Sequence, residues 1–268
     1  MRESGGSSAF RPADALRACT GNRLLTSLPA PVLMSLGPVI QEISLSHGEV
    51  LAETQGLVQS VYFPQDAVIS LTEFMENGAG VETAAVGCEA ALGTGVALGR
   101  PRAIGTAIVQ LSGRAARVSA ADFQAVADRS PLLRDLAARC DALLMTRLHR
   151  AAACNSLHSV EARIARCLLE YSDRIGCKLT LTQERLAQML SVRRTTVVTV
   201  LTQRLQASGA ISQRRGVIQI RDRAALEALC CECYQAIQAQ ARSILSGFPQ
   251  ETGETLPFLG CESIDPFT

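Results

Sequence analysis

Tryptophan is absent from the 268-residue chain, and aromatic residues make up only 4% of it. This scarcity argues against an aromatic platform for sugars or single-stranded nucleic acid. No apolar run approaches the roughly 18 residues that cross a bilayer, and the first residues lack the apolar stretch of a secretory signal. An apolar fraction of 47% excludes a largely disordered chain. We therefore expect a folded cytoplasmic protein that does not contact a membrane.

Charge is nearly balanced over the whole chain, at +1, but it is unevenly distributed. Residues 157–224 carry 12 basic and 5 acidic side chains, a net charge of +7. All of these basic residues except Lys178 are arginines, whose planar fork matches phosphates and guanine edges. Positive charge concentrated in one segment predicts a nucleic-acid partner for that segment.

Cysteine is abundant, with ten residues, but a reducing compartment favours free thiols. Cys140, Cys154 and Cys167 lie in apolar helical patterns and are predicted to be small core residues. Cys230, Cys231 and Cys233 form a cluster. No second Cys or His pair at metal-ligand spacing accompanies it, so we predict packing, with no metal and no cofactor. A redox role for this cluster or for Cys88 stays open as an alternative.

Short apolar or alternating segments separated by turn signals dominate residues 40–118. Such a series of strands predicts a compact antiparallel barrel or roll. The segments are Ile43–Leu45, Val50–Leu51, Ser60–Phe63, Val68–Leu71, Val81–Val86, Ala107–Leu111 and Ala115–Val118. Two short helices, one capped by Asn22 and one following Pro29, are predicted before the first strand.

A helical period replaces the alternation after Ala120. Pro131 suits the first turn of a long helix that continues to about Ala153. Its apolar face is too broad for the roll alone to bury, which predicts a twin helix in a homodimer. We predict an α+β protein in five parts: a flexible tail over 1–20, a β-roll over 21–125, a connecting dimer helix over 126–156, a DNA-binding domain over 157–232, and a mobile extension over 233–268.

Two short helices across a tight turn are predicted between Thr182 and Gln206. Thr182 can cap the first helix, which ends near Leu190, and the second runs from about Arg193. This arrangement predicts a helix-turn-helix whose second helix enters the major groove. Strands on either side of Arg215-Gly216 then predict a β-hairpin with a basic tip, a wing that reaches the phosphate backbone.

The predicted DNA contacts follow from this arrangement. Arg193 and Arg194 stand at the start of the second helix, where the axis points into the groove, and are candidates for bases or phosphates. Further candidates for phosphate contacts lie at the start of the first helix, on the second helix and at the wing: Thr182, Gln183, Thr196, Arg214 and Arg215.

From about Asn22 to Tyr234 the chain resembles the Crp/Fnr family of bacterial transcription regulators. The resemblance rests on the roll, the long helix, the segment Leu181-Thr-Gln-Glu-Arg-Leu-Ala187 and the winged hairpin. It implies a cyclic-nucleotide-binding-type roll, a homodimer through the long helix, a winged helix-turn-helix on double-stranded DNA, and a small-molecule effector that alters how the DNA-binding domains are presented. Activation would also involve RNA polymerase.

Nucleotide-binding members of that family hold the ribose with a Glu and the cyclic phosphate with an Arg. The positions here that resemble theirs are Glu89, Arg100 and Arg102, but Cys88 displaces Glu89 from Gly87 and the spacing differs. Cyclic-nucleotide binding is therefore not expected. Iron–sulfur members use a cluster of N-terminal cysteines, and Cys19 stands alone in that region.

Base-reading positions of similar regulators match Arg194, Thr195 and Thr199, of which only the first keeps the family's chemistry. The segment between the turn and Gly209 is also one residue longer, so this correspondence can slip by one position. The alternative to a regulator is a cupin-like enzyme housed in the roll. Only His47 is available there as a metal ligand of that kind, so we predict no catalysis.

Overall fold

In the computed structural model of the chain, residues 21–245 are described. All seven segments predicted as strands form strands, in two antiparallel sheets with the orders β1-β7-β3 and β2-β6-β4-β5. These sheets make up the predicted roll. The strands are β1 (Gln41–Leu45), β2 (Val50–Ala52), β3 (Ser60–Pro64), β4 (Val68–Phe74), β5 (Gly80–Val86), β6 (Thr106–Leu111) and β7 (Gly113–Ser119).

Helices cover one side of the roll. Helix α1 (Arg23–Thr26) begins where the Asn22 side chain accepts a hydrogen bond from the Leu25 N–H, and α2 (Ala30–Leu36) follows Pro29. A 3-10 helix (Thr94–Leu98) and α3 (Ala120–Ala127) pack against each other and against the long helix. Aliphatic side chains from these helices join Phe63 and Phe123 in one core.

Helix α4 (Pro131–Leu157) is the predicted long helix, with Pro131 in its first turn and the Ser130 side chain as its N-cap. One face is buried against the roll by Leu133, Leu136, Cys140 and Leu143. The opposite face remains exposed in the single chain, as the breadth of its apolar pattern predicts.

The C-terminal elements form a winged helix-turn-helix. Helix α5 (Val160–Ile175) is capped by Ser159 and ends at Gly176, as predicted. It is followed by β8 (Lys178–Leu179), α6 (Gln183–Leu190), α7 (Arg194–Val200), a π-helical turn (Leu201–Gln206), β9 (Ile211–Arg214), β10 (Val217–Ile220) and α8 (Arg223–Ala228). The sheet order β8-β10-β9 includes a third strand, β8, that was not predicted from the sequence.

The prediction of a mobile extension is wrong for residues 233–245. These residues form helix α9 (Cys233–Leu245), which packs against α4 and α5. Tyr234, Ile237 and Ala241 are buried on its inner face, and this burial holds the helix in place. The tail predicted over 1–20 and the rest of the extension, 246–268, lie outside the described residues.

The roll and the helix-turn-helix share a continuous core. Val68, Ala85 and Leu111 of the roll pack in the same apolar cluster as the inner faces of α5, α6 and α7. The C-terminal domain is thus docked on the roll rather than held apart from it. Within residues 21–245, none of the helices is long and apolar enough to cross a membrane.

Candidate nucleic-acid interface

Local sequence signals position the first helix and the turn. The Thr182 hydroxyl accepts a hydrogen bond from the Arg185 N–H at 3.2 Å, which caps α6. Leu186, Ala187 and Leu190 form its buried inner face, as predicted. Ser191 then adopts a left-handed conformation with φ of 50°, which ends the helix and turns the chain toward α7.

The second helix begins at Arg194, directly after Arg193 as its N-cap residue. Val197, Leu201 and Leu205 are fully buried and anchor the helix on α5 and α6, which leaves the other face free. Arg193, Arg194, Thr195 and Thr199 are exposed on that face, and Thr196 is half-buried. The structure therefore groups the predicted contact residues on one surface of the helix.

A π-helical turn over Leu201–Gln206 lies between the turn at Ser191 and Gly209, the segment predicted to be one residue longer than in similar regulators. A π turn holds one more residue than an α turn, so it absorbs a single insertion without breaking the helix. Because the turn lies after Thr199, the residues before it keep the α-helical register set by the turn at Ser191. Arg194, Thr195 and Thr199 thus lie within this regular segment, and their match to base-reading positions stays a prediction.

The wing has the predicted form. Val217 pairs with Arg214, so Arg215 and Gly216 make a two-residue loop, and both have positive φ, 46° and 79°. Such a loop matches the right-handed twist of a hairpin. Arg214 and Arg215 are exposed at the tip. The wing candidates therefore stand on the surface with their guanidinium groups accessible.

Two predicted phosphate contacts lie at the start of α6. Thr182 is exposed, but its hydroxyl already caps the helix, and Gln183 is half-buried. Glu184, next to them, lies 3.7 Å from the Arg194 guanidinium, and the Arg194 side chain remains 64% exposed. This pair is weak in water and is easily exchanged for a phosphate.

The start of the second helix lies beside the roll, although the Arg194 side chain remains largely exposed. Arg193 and Arg194 line a cleft of about 720 Å³ with Met189 and Val192, and the opposite wall consists of roll residues, among them Thr72, Phe74, Gly80 and Gln110. Arg193 and Arg194, predicted to contact bases or phosphates, thus lie on the rim of a cleft between the helix-turn-helix and the roll.

Buried polar contacts hold the two domains together. The Tyr171 hydroxyl of α5 donates a hydrogen bond to Glu82 of β5 at 2.9 Å. Arg174 of α5 donates to Glu89, which follows β5, at 3.0 Å and to the Ala85 carbonyl at 3.0 Å. Since these contacts join α5 to the roll, they fix the position of the helix-turn-helix.

Glu89 has a structural environment rather than that of a ligand contact. It is buried between Arg174 at 3.0 Å and Arg147 of α4 at 2.8 Å. Burial works to raise the pKa of Glu89, but the two guanidinium groups outweigh it and hold the pKa at about 2. The carboxylate thus joins the roll, the long helix and the winged helix-turn-helix.

Arg100 and Arg102 lie elsewhere, beside a roll cavity of about 110 Å³ that Glu89 does not line. Most of the cavity wall is apolar and comes from the roll and α4. Arg100 forms an ion pair with Asp141 of α4, and Arg102 donates to the Gln55 carbonyl at 2.7 Å. The three predicted effector contacts are therefore not brought together, because two of them are paired within the chain and the third is buried at the domain contact.

The cysteines follow the prediction in part. Cys140, Cys154 and Cys167 are buried, as predicted, and burial beside Glu89 raises the pKa of Cys88 to about 11, so this thiol stays protonated at neutral pH. Cys231 and Cys233, however, meet Cys154 and His158 of α4. The sequence signal that was missed is the spacing of Cys154 and His158, one helical turn apart.

Comparison with known proteins supports this architecture. Residues 162–229 match the family model of the Crp-like helix-turn-helix domain. A search of curated proteins found no match. Among solved structures, FixK2 of Bradyrhizobium japonicum is similar with a TM-score of 0.60 and 15% identity, covering 72% of this chain and 98% of its own.

Two further structures have the same fold. The c-di-GMP-responsive global regulator CLP of Xanthomonas campestris gives a TM-score of 0.57 at 15% identity, with 72% of this chain and 99% of CLP covered. A CRP-family transcriptional regulator of Thermus thermophilus gives 0.56 at 22% identity, with 69% and 95% covered. The predicted resemblance and fold class are thereby confirmed: the chain has the fold of the Crp/Fnr transcription regulators, and residues 162–229 form its Crp-like helix-turn-helix domain.

Proposed function

We propose that the protein is a homodimeric transcription regulator that binds a two-fold-symmetric site on double-stranded DNA. One observation carries this proposal: the segment of net charge +7 forms a helix-turn-helix with exposed arginines at the start of the second helix and at the wing tip. Both elements present donors of the kind that bind phosphates and base edges in a major groove.

The individual contacts follow from position on this surface. Arg194 is the candidate for a bidentate guanine contact, because its side chain is exposed and its one partner, Glu184, is a weak one. Arg193, Thr195 and Thr199 flank it on the same face. Arg214 and Arg215 reach the backbone from the wing, while Thr182, Gln183 and Thr196 are phosphate contacts at the edge of the groove.

The exposed side of α4 supports dimerisation. Ala138, Ala142, Met145, His149 and Ala152 are all exposed and follow one another at alternating spacings of four and three residues. This spacing is that of the seam of a left-handed coiled coil, and small side chains let two backbones approach closely. We assign this face to a second copy of the chain, which places two recognition helices on one duplex.

Regulation follows from the cleft between the roll and Arg194. A turn of the C-terminal domain away from the roll would widen access to Arg194, and we assign the hinge of this motion to His158–Ser159, where α4 ends and α5 begins. The apolar roll cavity borders the dimer seam through Met145. A small, mostly apolar effector in this cavity would act on the seam and the hinge together.

Selection of bound duplexes from a random pool, with purified full-length protein, tests the proposal. We expect enrichment of a site with two-fold symmetry, and binding that weakens steeply with salt. Arg194→Ala is expected to lose about 1–3 kcal/mol of affinity for that site. Arg129→Ala, an exposed arginine after α3, is the matched control. Failure to enrich any site, or equal loss in both variants, would refute the proposal.

A further inference from the structure

Four potential metal ligands meet beside the hinge. The ligand atoms of Cys154, His158, Cys231 and Cys233 all lie within 4.8 Å of one another. The Cys154 and Cys231 sulfurs are 3.6 Å apart, and the Cys233 sulfur is 3.6 Å from Nδ1 of His158. The three cysteines are buried.

These separations fit a single tetrahedral ion. With Zn–S bonds of ~2.3 Å and Zn–N bonds of ~2.0 Å, the edges of a tetrahedron are ~3.8 Å between sulfurs and ~3.6 Å from sulfur to nitrogen. The two observed distances agree with these edges to within about 0.2 Å. A shift of about 1 Å brings the most distant pair to bonding geometry. Three thiolates and an imidazole are a soft ligand set that favours zinc over magnesium or calcium.

The histidine is oriented as a metal ligand would be. Its Nε2 lies 3.1 Å from the Glu232 carboxylate, while Nδ1 faces Cys233. A proton on Nε2 donated to that carboxylate leaves the Nδ1 lone pair free to bind a metal. Carboxylate–histidine–zinc arrangements of this kind recur in metalloproteins because they fix the tautomer and the ring orientation.

We propose that Cys154, His158, Cys231 and Cys233 bind one structural Zn²⁺ per chain. Binding forms three Zn–S bonds and one Zn–N bond and releases the three thiol protons to solvent. The resulting site carries one negative charge, and Arg163 and Arg166 of α5 interact electrostatically with the Cys154 thiol. No open position is left for water, so the ion stabilises structure rather than catalysing a reaction.

The position of the site indicates what the ion would stabilise. Cys154 lies in the last turn of α4 and His158 is its C-cap residue, just before the DNA-binding domain begins, and Cys231 and Cys233 follow the domain's last helix, α8. One ion therefore joins the two ends of the domain at its base. The ion would hold the hinge at His158–Ser159 in place. It would not restrain α7, the second helix of the helix-turn-helix.

A disulfide between Cys154 and Cys231 is the competing use of these residues. Their sulfurs would have to approach from 3.6 Å to ~2.05 Å, and such a bond would consume two ligands. The two uses exclude each other. Alkylation of the purified protein without reductant, followed by mass spectrometry, distinguishes them, because zinc-bound thiols react after chelation whereas a disulfide does not.

Metal analysis of the full-length protein purified without chelator tests the proposal. We expect one zinc per chain in the wild type and in Cys230→Ser, the matched control whose neighbour is a ligand. Cys231→Ser and Cys233→Ser are expected to bind zinc at least tenfold more weakly. Copper or iron in place of zinc, a Cys154–Cys231 disulfide, or equal zinc in all four proteins would overturn the assignment.

Two measurements guard against variants that fail to fold. Co²⁺ added to the metal-free wild type should give the visible absorption of a tetrahedral thiolate site. His158→Cys, which supplies a fourth thiolate, should keep one zinc per chain, whereas His158→Ala should lose it. An octahedral cobalt spectrum, or the same zinc content in both His158 variants, would contradict the proposal.

Discussion

Removing the negative charge of Glu89 should destabilise the protein by about 3 kcal/mol at neutral pH. Glu89→Gln keeps the shape of the side chain but leaves Arg147 and Arg174 buried without their counter-ion. A pKa held at about 2, against an ordinary value of 4.5, corresponds to about 3 kcal/mol of stabilisation. Breaking a buried ion pair on one side costs a similar amount, about 3–5 kcal/mol.

Chemical denaturation followed by circular dichroism suits this test, since the chain has no tryptophan to report by fluorescence. The pKa of Glu89 is lowered on folding, so its contribution is complete above pH 4.5 and is lost as the pH falls toward 2. The difference in the free energy of unfolding between wild type and Glu89→Gln should therefore disappear over that range. Glu53→Gln, an exposed carboxylate of the roll, should show no gap. A gap below about 1 kcal/mol at pH 7, or one that persists unchanged to pH 2, would show that the carboxylate does not hold the domains together.

Three further predictions concern other parts of the molecule. Burial raises the pKa of Glu82 to about 7 despite its hydrogen bond from Tyr171, so stability should fall as the pH rises from 4.5 to 7. In Glu82→Gln this fall should vanish. Parallel profiles of unfolding temperature against pH for the wild type and Glu82→Gln would contradict this prediction. Met145→Lys places a charge in the proposed dimer seam and should weaken dimerisation at least tenfold by analytical ultracentrifugation, whereas Val50→Lys, an equally exposed apolar position on the roll, should not; equal effects would argue against the seam. Gly216→Ala forces a side chain into a φ of 79° and should destabilise the wing by about 1 kcal/mol, seen as faster hydrogen exchange in β9 and β10; unchanged exchange would count against a strained tip.

Most of the fold was predictable from sequence signals that act over a few residues. Caps at Asn22, Ser159 and Thr182, the loop at Arg215-Gly216 and the alternation of the roll strands each act over a few residues, so a single sequence reveals them. The winged helix-turn-helix is made almost wholly of such signals.

The arrangement of the domains was not predictable in the same way. Glu89 meets Arg174, 85 positions along the chain, and Cys154 meets Cys231, 77 positions along. Neither contact follows from a helical or strand period, because only the packing of α5 and α9 on the rest of the molecule brings the partners together. For the same reason, the sequence alone did not show that Glu89 pairs with two buried arginines or that Cys154 lies beside Cys231.

The π-helical turn has a practical consequence for any redesign of helix α7. Positions counted backwards from Gly209 on a regular α-helical period fall out of step across this turn, so a side chain designed on that count would lie on a different side of the helix. Designs counted forward from Ser191 avoid this error, because the additional residue is accommodated only beyond Val200. The π-helical turn is also a place where the helix can gain or lose a residue, provided that Leu201 and Leu205 stay buried in the hydrophobic core.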